Sequence, residues 1–342
     1  MKFNNLENLG VFKDFTDGTI KSVFRTKERK IIEISLLMNK DSMDVVCVPT
    51  HHFCNLGCRM CHLTNSKLNK TMCTIKKDDF IESLIRGVCL QNINEGEFEK
   101  NRRTNKDKLL ISFMGVGEPL LNQKLIVDIF NESDNLKKLL GYKEISFAIS
   151  TMVPNLDLLK QFIRTVNINN IPIKIHFSLH TPIDEKRMEL IPSTNVIIEE
   201  VLKELNYYCL LCRENKKIMD NYLKFHRNNI TAEIHYTLMN EVNDSLEELE
   251  KIADLLQRHI IPIKFIKFNP LNDLAVSRIE NHWYNTLKEK LCDYQVKRYS
   301  PPGREVGSSC GEFTKHYYHE EIETVEQFKE FVEWEKKHKI DY

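Results

Sequence analysis

The 342-residue chain has no surplus of either charge, because 49 lysines and arginines are matched by 49 aspartates and glutamates. Nucleic-acid binders usually show a basic excess, so any contact with a polyanion must rest on local patches. The chain also lacks any run approaching the roughly 18 apolar residues that cross a bilayer, which leaves no membrane partner to expect. Its opening, MKFNNLENLG, has neither a charged n-region nor an apolar h-region, so no secretory signal is expected and the reading is cytoplasmic. There is no internal repeat and no low-complexity linker. Ten cysteines are present. A reducing cytosol disfavours a disulfide framework, so these thiols are expected in metal ligation, catalysis or simple burial.

Hydrophobic residues at 42% and charged residues at 29% describe an ordinary globular protein. After an irregular start, TIKSVFRTKERKIIEISLLM alternates as a small β region. From Asp44 onward, β-rich runs at MDVVCVPT, LLISFMG, EISFAIST, IKIHFSLH, TAEIHYTL and IPIKFIKFNP alternate with helical periodicity. The helical stretches include KDDFIESLIRGV, LDLLKQFIRTV, VIIEEVLKELNYYC and SLEELEKIADLLQ, the last with a capping-box pair at Ser245 and Glu248. Six such units predict an α/β fold with parallel strands and helical crossovers, arranged as a partial (β/α)6 TIM-like barrel. The expected division is an N-terminal β extension over 1–43, the barrel over 44–300, and a C-terminal loop with a helical tail over 301–342. Residues 94–108 read as a solvated loop.

CNLGCRMC sets Cys54, Cys58 and Cys61 at C-x3-C-x2-C directly after the first barrel strand. Three thiolates on a short loop suit three irons of a [4Fe–4S] cubane and leave the fourth iron open to chelate S-adenosylmethionine (SAM). A structural zinc site needs a fourth ligand and usually paired C-x2-C spacings; the adjacent His62 would strain to supply one. The spacing and its strand–loop context resemble the radical SAM superfamily.

Active residues of parallel barrels gather where strands end. Here those ends are polar: Gly115-Val116-Gly117-Glu118, Ser150-Thr151, Ser178-Leu179-His180 and Asn269-Pro270. Each alone reads equally well as a turn or cap. Taken in order, CNLGCRMC, FMGVGEPLLN, ISTMVPNLDLL, FSLHTPIDEKRMELIPST, LMNEVNDSLEEL, FNPLND and SSCGEF resemble the RlmN/Cfr family of radical SAM RNA methyltransferases over roughly residues 17–312. Pro119 is closer to the RlmN branch. The resemblance implies SAM contacts at Gly117, Glu118, Ser150, Ser178, His180 and Asn269.

It also implies two catalytic cysteines. Cys310 matches the family cysteine that becomes S-methylated, and Cys47 matches the second thiol. Glu33 aligns with a glutamate assigned to proton handling, although one extra residue separates it from Cys47. In the implied chemistry, one SAM methylates Cys310 and a second yields the radical that activates that methyl group. Cys47 then attacks the Cys310 sulfur to release product, leaving a disulfide. Read without the resemblance, Cys47 is an ordinary buried strand cysteine, whereas the Gly/Ser loop around Cys310 suits a reactive thiol. The implied partners are an RNA substrate, an electron donor such as flavodoxin or ferredoxin, and a thiol reductant.

Cys209 and Cys212 form a lone C-x2-C on a predicted helix and read as core packing. The basic stretch Arg102, Arg103, Lys106 and Lys108 reads as a solvated loop able to touch phosphates. The chain is expected to lack the family's small N-terminal helical domain. HLTNSKLNKTMC also lacks the glycines and Arg-Asn-Leu usual after the cluster motif, and Met60 stands where an aromatic is common. Three functions follow: methylation of carbon 2 of an RNA adenine; the same two-thiol chemistry on a nucleotide, peptide or other small molecule; or a non-catalytic iron–sulfur or zinc protein.

Overall fold

The computed structural model describes residues 5–38, 43–65, 70–89, 107–259, 261–271, 274–291, 295–304, 306 and 333–340. They fall into two compact units. One comprises residues 1–55, 62–147 and 302–342; the other comprises 56–61 and 148–301.

The first unit begins with an antiparallel meander: β1 (Leu6–Lys13), β2 (Ile20–Thr26) and β3 (Ile31–Met38). The expected β region is thus present, and the start read as irregular is itself a strand. β3 pairs antiparallel with β4 (Met43–Cys47). Next come β5 (His51–Phe53), α1 (His62–Asn65), β6 (Cys73–Thr74) and α2 (Lys77–Cys89). In α2, Phe80, Ile81, Leu84, Ile85 and Val88 recur at helical spacing and are buried, which is why this segment is helical. β7 (Lys108–Phe113) pairs parallel with β4. After a 3-10 turn over Pro119–Asn122, α3 (Gln123–Asn131) and α4 (Ser133–Leu140) lead to β8 (Glu144–Thr151). The strand order here is β1-β2-β3-β4-β7-β8.

The second unit holds α5 (Leu156–Ile168), β9 (Ile173–Ser178), α6 (Asp184–Leu190), α7 (Ile198–Glu214) and α8 (Lys216–Phe225). β10 (Ala232–Tyr236), α9 (Leu246–Arg258), β11 (Ile263–Ile266), α10 (Glu280–Lys290) and β12 (Val296–Tyr299) complete it. Its strand order is β8-β9-β10-β11-β12, and the pairs from β9 to β12 are parallel. All six expected strands are present among the described residues, and β12 is a further parallel strand that the sequence did not suggest. β10 is buried along its whole length and β8 along most of its length. The Ser245–Glu248 capping box forms with both of its hydrogen bonds. Among the described residues, no helix is long and apolar enough to cross a membrane.

Of the expected C-terminal helical tail, residues 333–338 are helical. Cys310 lies outside the described residues, as do Cys292 and most of the 94–108 loop.

Candidate active site

Strand register in the first unit assembles a polar row inside an apolar sheet. Lys21 pairs with Ser35, Ser35 with Cys47, and Cys47 with Ser112. Directly paired residues share a face, so Lys21, Ser35, Cys47 and Ser112 stand side by side across β2, β3, β4 and β7. Glu33, two residues before Ser35, shares that face. Lys21 Nζ lies 3.6 Å from Glu33 Oε2, with the side chains only 1% and 5% exposed. A buried lysine and glutamate coexist because each compensates the other.

This environment acts on Cys47. Burial pushes its thiol up to about 11; the Lys21 charge and a backbone hydrogen bond from Met114 pull it down, and the Glu33 charge adds to the rise. The structure therefore places the two expected residues, Cys47 and Glu33, on one face of the sheet. Lys21 is a third member that the sequence did not flag, because a strand lysine reads as solvent-facing.

The turn after β7 is equally specific. Gly117 has φ +108°, and a Cβ there would meet Thr50 Oγ1 at 2.7 Å and crowd the ring of His51. Only glycine fits, and its bare backbone leaves room for a ligand to approach. Glu118 is buried, and its Oε1 accepts from Leu120 N–H at 2.9 Å, capping the 3-10 turn. Asn122 Nδ2 donates to Thr50 O at 2.9 Å and fixes this turn to the start of β5. Beside it, His51 Nδ1 lies 2.8 Å from Thr50 Oγ1, and burial holds the ring's pKa down to about 4.

In the second unit, Ser150 Oγ and Ser178 Oγ lie 3.2 Å apart at the ends of β8 and β9. His180 follows with φ +61°. Its Nδ1 accepts from Thr237 N–H at 3.2 Å, so the proton of the neutral ring is on Nε2. Burial, then the nearby Arg187 charge, pushes its pKa down to about 3. His180 is thus a fixed neutral donor. Asn269 lies half-buried beyond the end of β11.

Arg187, on α6, was missed by the sequence reading and orders these strand ends. It is fully buried. It donates through Nη2 to Met152 O at 2.5 Å and Ser178 O at 3.0 Å, and through Nε to Leu179 O at 3.2 Å. Nη1 reaches Thr194 Oγ1 at 3.1 Å. The segment that follows holds the cysteine loop: Arg59 N–H donates to Leu190 O at 3.0 Å, and Ser193 Oγ to Leu56 O at 2.5 Å. Cys61 N–H donates to Cys58 O at 3.0 Å, closing a turn, and the Cys58 Sγ lies 3.8 Å from Met152 Sδ.

Cys54, Cys58 and Cys61 are half-buried and not disulfide-bonded. Three accessible thiols within eight residues fit the donor set of a cubane cluster. Leu56, Cys58 and Met60 pack against Met152, Leu190, Ile191, Met239, Phe268 and Leu274. Such an apolar surround limits water at a metal site. Cys209 and Cys212 lie on α7, where burial pushes both thiols up, Cys212 to about 11, in keeping with core packing.

No family model matches the chain. The fold is that of radical SAM methyltransferases. The crystal structure of a radical SAM methyltransferase from Sphaerobacter thermophilus superposes with a TM-score of 0.69 at 20% identity, covering 90% of this chain and 81% of that one. The sequence relatives are more particular. A probable dual-specificity RNA methyltransferase RlmN of Acholeplasma laidlawii is 28% identical over 86% of this chain and 77% of its own length. One from Clostridioides difficile is 26% identical over 88% of this chain and 77% of its own. The resemblance to the RlmN/Cfr family read from the motifs is borne out.

Proposed function

We propose that this chain is a radical SAM methyltransferase of the RlmN/Cfr type, acting on an sp2 carbon, adenine carbon 2 of ribosomal or transfer RNA. The observation that carries this reading is the row formed by buried Lys21, Ser35 and Ser112 with half-buried Cys47, and buried Glu33 on the same face. A cysteine kept only for packing needs no buried ion pair on its face. The parallel strands are proposed to curve as a partial barrel, with SAM at their C-terminal ends.

Cys54, Cys58 and Cys61 would hold a [4Fe–4S] cluster, which when bound supplies the electron for reductive cleavage of SAM. The bare backbone at Gly117 and the carboxylate of Glu118 would receive the amino acid end of SAM. Ser150, Ser178, the Nε2–H of His180 and Asn269 would orient its nucleoside. Cys310 would carry the methyl group, and Cys47 would act as resolving thiol. A thiol held near 11 stays protonated until needed, and Lys21 stabilises the thiolate when it forms. Glu33 would move the proton.

Anaerobic incubation of reconstituted protein with SAM, a reductant and total RNA, followed by nucleoside mass spectrometry, tests the reading. New 2-methyladenosine that is lost in Cys310→Ala supports it. Formation of 5′-deoxyadenosine without methylated RNA would sink the RNA assignment. The zero net charge favours a second reading, in which the acceptor is a nucleotide rather than a large polyanion.

A further inference from the structure

The parallel strands of the second unit carry a charged cluster that none of the proposed chemistry uses. Glu233 on β10 is fully buried. Lys174 on β9 lies 3.2 Å from its Oε2 and Lys297 on β12 lies 2.9 Å from its Oε1, while Lys264 on β11 also bonds Oε2. His176 and His235 stack with ring centroids 4.2 Å apart, each with Nε2 3.8 Å from Glu233 Oε2. Register explains the convergence. Glu233 pairs with His176, His235 with both Ser178 and Lys264, and Lys264 with Lys297, so all six side chains share one face.

Ligand atoms of His176, Glu233 and His235 lie within 4.8 Å of one another, a spacing that would suit a divalent cation. Charge excludes that occupant. A cation there would sit against three ammonium groups and compete with all of them for one carboxylate.

The cluster is instead suited to an anion. Three lysines against one glutamate, with both imidazoles neutral, leave two positive charges uncompensated. Three ammonium groups with three donors each also exceed the roughly four acceptor positions of one carboxylate. The Lys174, Lys264 and Lys297 side chains are 14%, 22% and 33% exposed while Glu233 is 0%, so the lysines are reachable from solvent and the carboxylate is not. Two further buried atoms, His235 Nε2 and His176 Nδ1, have no hydrogen-bond partner. His235 Nε2, beside the carboxylate, can donate to a bound oxyanion.

We propose that Lys174, Lys264, Lys297 and His235 form a phosphate-binding site that receives a phosphate group of the nucleotide substrate. Ser178, which pairs with His235 and bonds Ser150, lies on this same face. Two residues along a strand span roughly 7 Å. The lysines therefore converge on Glu233 about one such step from the level of Ser178, beside the nucleoside of SAM in the proposed function. Calling the occupant a substrate rests on the proposed function; the existence of the site does not.

The test uses the full chain with its cluster reconstituted, titrated calorimetrically with inorganic phosphate, with acetate as control. Lys174 is held down to about 8 by burial, so phosphate binding at pH 8 should take up protons. Lys297→Gln should weaken phosphate roughly tenfold, as expected for loss of one charged hydrogen bond. Glu233→Gln should tighten it, an opposite sign that general loss of structure would not give. Adenosine 5′-monophosphate and a short oligoribonucleotide then separate a terminal phosphate from a backbone one, each compared with adenosine. Phosphate binding no better than acetate, or unchanged in both variants at wild-type melting temperature, would overturn the site. SAM cleavage to 5′-deoxyadenosine, measured in the same samples, reports separately on the proposed function.

Discussion

Arg187 donates through Nη2 to the Ser178 carbonyl oxygen at 3.0 Å, so a buried guanidinium sets the end of the strand that carries a proposed SAM contact. The same nitrogen bonds Met152 O, and Nε bonds Leu179 O. One planar fork thereby fixes the backbone after β8 and after β9 together.

Arg187→Met should destabilise the protein by about 3 kcal/mol or more, because buried carbonyl oxygens lose charged donors. Arg187→Lys should not restore it, since an ammonium cannot reproduce the fork. Urea denaturation and SAM binding by equilibrium dialysis check this; wild-type stability and affinity in Arg187→Met would refute it.

The Lys21–Glu33 pair makes a different prediction. Either Lys21→Met or Glu33→Leu alone strands a buried charge and should cost about 3–5 kcal/mol, whereas the double variant should recover much of the loss. In Lys21→Met the Cys47 thiol loses a charge that lowers its pKa. The pH midpoint of Cys47 alkylation, followed by peptide mass spectrometry, should therefore move upward from about 11. A downward move would contradict the assigned role of Lys21.

Gly117→Ala should disrupt the turn at the proposed SAM amino acid site. The added Cβ meets Thr50 Oγ1 at 2.7 Å and carries φ +108°, and strain of this kind costs about 1–3 kcal/mol before any ligand is considered. Thermal melts and 5′-deoxyadenosine yield should both fall; retention of both would show that the turn relaxes freely.

Acid should unfold the second unit through its neutral histidines. The pKa values of His180 and His235 are held down to about 3 and about 4, and that of His176 well below normal. Between pH 6.5 and about 4 the unfolded chain binds more protons at these sites than the folded one, so stability is lost as pH falls through this window. At pH 5.5 the three together should remove roughly 4 kcal/mol relative to pH 7.5. Urea midpoints at the two pH values, with phosphate-free buffers, provide the measurement. Equal midpoints would mean that these rings are not held neutral.

The cysteine triad, the strand ends and the Ser245–Glu248 cap were legible in the sequence because each is a local pattern. Gly117 was legible too, as one of two glycines after a strand. Lys21, Arg187 and the Glu233 cluster were not. Each depends on pairings between residues tens of positions apart, such as Glu233 with Lys174 and Lys297, and lysine or arginine in isolation reads as solvent-facing. β1 escaped notice because Asn8 and Gly10 flank a register shift in its pairing with β2, which interrupts simple alternation.

The pairing of Ser35 with Cys47 bears on the chain length between Glu33 and Cys47. β3 ends at Met38 and β4 begins at Met43, so the connection over 39–42 lies between two strands whose register is already set. The side of the sheet on which the thiol stands depends on odd–even counting within each strand, not on chain length between them. Lengthening that connection leaves the thiol where it is. A single insertion inside β3 or β4 would turn it to the opposite side, away from Lys21, so tolerance to insertions should change abruptly at the strand ends.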